Sequence, residues 1–135
     1  MTNTERQALA ALAQAITVQA QARYALHCAV RHRIQQDLGS PTSKLNQKLT
    51  EWWNLPDLAA LRAEVQKALK REIALKDRDE WEGWLAEQQQ THQTYTAEII
   101  RLETDLNARV YALFGLNDEE IKLIEASTKY RYGEV

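Results

Sequence analysis

Apolar and small residues return every three or four positions from Thr4 to Leu38, at Leu9, Leu12, Ile16, Ala20, Val30, Ile34 and Leu38, with Arg23 and His27 occupying two of the same steps. The stretch contains neither Gly nor Pro and is rich in Ala, Gln, Leu and Arg, so it reads as one long helix with a seam for a partner helix. Gly39-Ser40-Pro41-Thr42 ends it, with Gly39 expected as a left-handed cap. Thr42 or Ser43 then caps a short second helix carrying Leu45, Leu49, Trp52 and Trp53 and closed by Pro56. Asp57 caps a third, on which Leu58, Leu61, Val65, Ala68 and Leu69 share a face.

The periodicity blurs between Arg71 and Asp79 and resumes as a second long helix to about Phe114. Its seam runs Trp81, Leu85, Gln88, His92, Tyr95, Ile99, Leu102, Leu106, then Arg109 or Val110, and Leu113. Gly115 ends this helix, and Asn117 with Glu120 has the spacing of a capping box for a short last helix. The expected fold is therefore all-α: two long antiparallel helices in a coiled-coil-like hairpin, two shorter helices between them and a short C-terminal one. Residues 1–135 read as a single helical domain, with 129–135 as a loose tail.

Each long helix spans roughly 50 Å at 1.5 Å per residue, so the two most economically pair with each other. Placing Ile34 near Trp81 sets Arg23 opposite His92 and His27 opposite Gln88. A polar layer of Arg23, His27, Gln88 and His92 then interrupts the apolar seam, and its purpose would be register, because a slipped alignment leaves such groups unpaired.

Net charge is −2, but residues 1–56 carry six Lys/Arg against three Asp/Glu while 57–135 carry eleven against sixteen. A free-standing nucleic-acid binder shows a much larger basic excess. Arg31, Arg33, Lys44 and Lys48 cluster around the first turn between helices and are the candidates for phosphate contact, although Arg31 and Arg33 also suit the negative end of the first helix. Trp52 and Trp81 read as core aromatics, and Trp53 and Trp84 are less committed to the buried face. His27 and His92 read as helix-packing residues. With Cys28 near only His27 and His32, no metal site is expected, and no cofactor-binding motif is present. Pro56-Asp57 with Glu64 and Lys67 echoes a nuclease pattern, but with the wrong spacing and on a helix. The lone cysteine, the lack of a charged and then apolar leader and the lack of a long apolar run lead us to expect a cytoplasmic protein with no membrane partner.

One resemblance carries a functional expectation. Leu45-Asn46-Gln47-Lys48-Leu49 with Trp52 and Leu55, Leu75-Lys76 followed by Glu80-Trp81-Glu82, and above all Val110-Tyr111-Ala112-Leu113-Phe114-Gly115-Leu116-Asn117-Asp118-Glu119-Glu120-Ile121 resemble the C-terminal helical region of type IIG restriction-modification enzymes and related adenine-specific DNA methyltransferases. The resemblance covers residues 44–125. Asn117 stands where that family has a threonine cap and Phe114 where it has a tyrosine, and the methylation and nuclease motifs are missing. It implies a non-catalytic helical module of a bacterial restriction-modification system, supporting DNA recognition or subunit assembly. The partners expected are a larger subunit of that system or a second copy, with DNA backbone as a possible contact. The alternative is a structural helical protein-protein interaction module with no DNA contact.

Overall fold

A computed structural model describes residues 2–40 and 42–127. The protein is all-α, without strands among the described residues. Two long helices, α1 (Asn3–Leu38) and α4 (Arg78–Leu113), enclose the short α2 (Gln47–Thr50) and α3 (Leu58–Leu69), and α5 (Asp118–Ser127) closes the chain. The roles foreseen for Pro41 and for a loose tail at 129–135 fall outside the described residues. The chain divides into two compact units, residues 23–93 and residues 1–22 with 94–135, so that each long helix contributes a segment to both.

Local chemistry explains the ends of these helices. Thr2 and Glu5 form a reciprocal capping box on α1, Thr2 N donating to Glu5 Oε2 at 2.9 Å and Glu5 N to Thr2 Oγ1 at 3.1 Å. At its other end, Gly39 does not adopt the expected left-handed conformation. It is required for space instead: a Cβ there would lie 2.9 Å from Gln35 O and about 3 Å from the Ser43 side chain. The second helix is shorter than foreseen. Ser43 Oγ is taken up by Ser40 N at 2.8 Å, and Asn46 caps α2 by accepting from Leu49 N at 2.9 Å. The chain then tightens into a 3₁₀ turn at Trp52–Asn54, which ends before Pro56.

Asp57 caps α3 through Ala60 N, as its position foretold. The helix ends on Lys70 at φ 57°, a left-handed cap without glycine. Gly115, at φ 63°, ends α4 in a full Schellman arrangement: Gly115 N donates to Ala112 O and Leu116 N to Tyr111 O. The Asn117–Glu120 capping box forms in both directions, at 2.8 and 3.2 Å.

In the 23–93 unit, Val30, Ile34 and Leu38 of α1, Leu49, Trp52 and Leu55, Leu61, Val65 and Leu69 of α3, then Ile73, Trp81 and Leu85 bury a common core. Each fully buried aliphatic or aromatic side chain contributes roughly 1.5–3 kcal/mol, which is what offsets the entropy of ordering helices as short as α2. Contacts of His27 with His92 and of Arg33 with Glu80 fix the two long helices as antiparallel here. The other unit is thinner among the described residues: Ile99 and Leu102 are its buried apolar ones there, flanked by half-buried Leu9, Leu12, Ile16, Tyr95, Leu106, Val110 and Leu113. Every expected seam position is thus buried or half-buried. At the ambiguous step Val110 faces in and Arg109 faces solvent.

Candidate functional site

The most concentrated chemistry lies in the 23–93 unit, where the polar stretch of the seam meets the two adjacent tryptophans. His27 Nε2 and His92 Nδ1 are 2.9 Å apart, one necessarily donating and the other accepting. The bond pairs His27 with His92, the residue expected opposite Arg23, while Arg33 packs on Trp81 and meets Glu80 as an alignment of Ile34 with Trp81 requires. Trp53 lies flat against both imidazoles, its ring centre 4.0 Å from that of His27 and 5.0 Å from that of His92. Trp52 meets both rings edge-on, at 5.8 and 6.0 Å. The 3₁₀ turn makes this possible, because it directs two consecutive indoles toward the same pair of histidines.

Burial, first of all, lowers the His27 pKa to about 4, and the neighbouring His92, Arg31 and Arg23 act in the same direction. His92 is lowered as well, by burial and then by Arg23. Both rings are therefore neutral at neutral pH. Arg23, itself buried, supplies positive charge to the layer but no proton acceptor. Gln88 is half-buried. The amide that crosses to the 3₁₀ turn belongs to its neighbour Gln89, whose Nε2 donates to Trp52 O at 3.1 Å and Leu55 O at 2.8 Å. Trp52 is fully buried and its Nε1–H has no hydrogen-bond partner.

The four basic candidates are not gathered into one open patch. Arg31 donates from Nε to Thr50 O at 2.9 Å and lies 5.7 Å from the centre of Trp53. Arg33 packs on Trp81 and Trp84 at 4.7 and 4.4 Å while pairing with Asp37 and Glu80. Trp52 and Trp81 are core residues, as expected, and Trp53 and Trp84 are half-buried. Lys48 stands 3.6 Å from Glu64, and Lys44 is exposed.

Glu64 forms a second polar centre that the sequence reading missed, its side chain 8% exposed. Burial alone would raise its pKa. A hydrogen bond from Asn46 Nδ2 at 2.8 Å, with Lys67 and Lys48 nearby, outweighs that and holds the carboxyl below its ordinary value. Among the described residues no three His, Cys, Asp or Glu side chains converge as a metal would need. No described helix is long and apolar enough to cross a membrane.

These features define an all-α protein whose two long helices are keyed by an imidazole pair and clad by indoles. Residues 2–110 match the family described as Domain of unknown function (DUF8810), and the chain belongs to that family. No curated protein and no solved structure matches it significantly.

Proposed function

We propose that the protein is a non-catalytic helical module of a bacterial restriction-modification system that acts in the cytoplasm by assembling with a larger subunit. The observation that carries the non-catalytic reading is the use made of the reactive side chains. His27 and His92 bond to each other beneath two indoles, Arg31 donates from Nε to Thr50 O, and Arg33 packs on two indoles and meets two carboxylates. Each of these side chains has a packing role between elements, which supports a structural reading. The restriction-modification assignment rests on the sequence resemblance over residues 44–125, and the DUF8810 match is neutral toward it.

Lys44 and Lys48 favour a second reading in which the module also touches DNA backbone, since Lys44 is exposed and the Lys48 side chain is 70% exposed. Sequencing of the gene's surroundings and co-expression with any methyltransferase or nuclease frame found beside it test the first reading: a stable stoichiometric complex supports it, and the lack of such a frame or two separately eluting proteins overturn it. A gel shift in low salt that collapses steeply as salt is added supports DNA contact. A blank gel with a defined complex leaves assembly alone, and a blank gel without one favours a structural interaction module outside restriction-modification.

A further inference from the structure

From Gln7 to Ala22 the first half of α1 carries no charged residue, the longest such run in the chain. The stretch of α4 in the same unit, residues 94–113, carries five: Glu98, Arg101, Glu103, Asp105 and Arg109. Two ion pairs along the helix, Glu98 with Arg101 and Asp105 with Arg109, mark its outer side as a solvated one. The outer side of α1 has no such charges.

That side of α1 is nevertheless open. The inner positions Leu9, Leu12 and Ile16 are half-buried, whereas Gln7, Ala11, Gln14, Val18 and Gln21 are all exposed, Val18 by 48%. These five step by four and three, the spacing of a seam, and run along the helix on the side away from Leu9, Leu12 and Ile16. A second seam without charge calls for a second helix.

The chemistry of the stripe fits its own copy. Laid antiparallel about a two-fold axis at Gln14, it meets itself with Gln14 on Gln14, Gln7 on Gln21 and Ala11 on Val18. A carboxamide both donates and accepts, so glutamine is complementary to glutamine. Alanine opposite valine leaves room for the two helices to approach closely. The nearest charges on α1 are Glu5 and Arg6, of opposite sign, before the stripe, and the buried Arg23 beyond it, so the pairing forces no like charges together. A charged helix from another protein would give up water around its charges and gain no counter-charge on this face.

We propose that two copies of the chain pair through this face, α1 against α1, in that register. The inference goes beyond assembly with a larger subunit and does not rest on it.

Sedimentation equilibrium of the full chain tests it. The unaltered chain should be a dimer at micromolar concentration. Q14E and Q14K exchange one good helix former for another at an exposed position, and each should raise the dimer Kd by about tenfold or more by setting like charges against each other on the axis. Mixing the two should recover a one-to-one heterodimer, because position 14 faces itself. Q7E mixed with Q21K should also recover one, and Q7E mixed with Q7K should not. Unchanged far-ultraviolet circular dichroism shows that the variants are folded. A monomeric unaltered chain, an unchanged Kd in Q14E and Q14K, or no recovery on mixing them overturns the proposal. Recovery with Q7E and Q7K in place of Q7E and Q21K means a parallel pairing and overturns the register. An unaltered chain that is monomeric alone, and whose co-expressed complex is lost in Q14K, assigns the face to the larger subunit and overturns the second copy as its occupant.

Discussion

His27 Nε2 lies 2.9 Å from His92 Nδ1, and the bond can exist only while at least one of the two nitrogens keeps a lone pair. The His27 pKa falls from 6.5 to about 4 on folding, so between these values the unfolded chain binds more protons than the folded one. The contribution is fully present above pH 6.5 and is lost as pH falls toward 4. Thermal melts should show a midpoint that declines across that window, and the decline should be much smaller in a H27L/H92L double variant. A midpoint equally pH-dependent in both proteins would contradict the assignment.

The same pair should show strong non-additivity. Changing His92 alone to Leu leaves the His27 nitrogen half-buried without its partner, at a cost of about 1–3 kcal/mol, whereas removing both leaves no orphan. The double variant should therefore lose less stability than the two single variants together, as read from a double-mutant cycle by urea unfolding.

Gln89 ties α4 to the 3₁₀ turn through two carbonyls. Q89L should cost about 1–3 kcal/mol by leaving Trp52 O and Leu55 O without that donor. Near-ultraviolet circular dichroism should register the change, since the loosened turn carries both indoles that pack on the histidines.

Two backbone positions should respond in opposite directions. K70G should stabilise the protein by up to about 1 kcal/mol, because the left-handed conformation at φ 57° strains any residue with a Cβ. G39A should destabilise it, because the added methyl meets the backbone oxygen of Gln35 at 2.9 Å. Urea midpoints decide both.

The seam was legible because burial of a long helix leaves a repeat that survives even where Arg23 and His27 interrupt it. The partner of His27 was not, because Gln88 and His92 are polar residues one turn apart and each could reach it. The sequence singled out His27, His92, Arg31 and Arg33, but not the surface on which they rest. A 3₁₀ turn that turns Trp52 and Trp53 onto the imidazoles has no periodic signature. Gln89 was hidden by standing beside the seam position Gln88. The left-handed end of α3 escaped notice because lysine, not glycine, occupies it. Asn46 was passed over as a cap because Thr42 and Ser43 come first in the chain and have equal capping chemistry.

Asn46 has a further consequence. Its Oδ1 holds the first turn of α2 while its Nδ2 holds Glu64 of α3. A four-residue helix has no independent persistence in water. Solvent therefore reaches the Leu49 amide proton only when the grip on α3 is released, so the two helices should exchange hydrogen for deuterium as one cooperative opening, with α2 protected for as long as its longer neighbour.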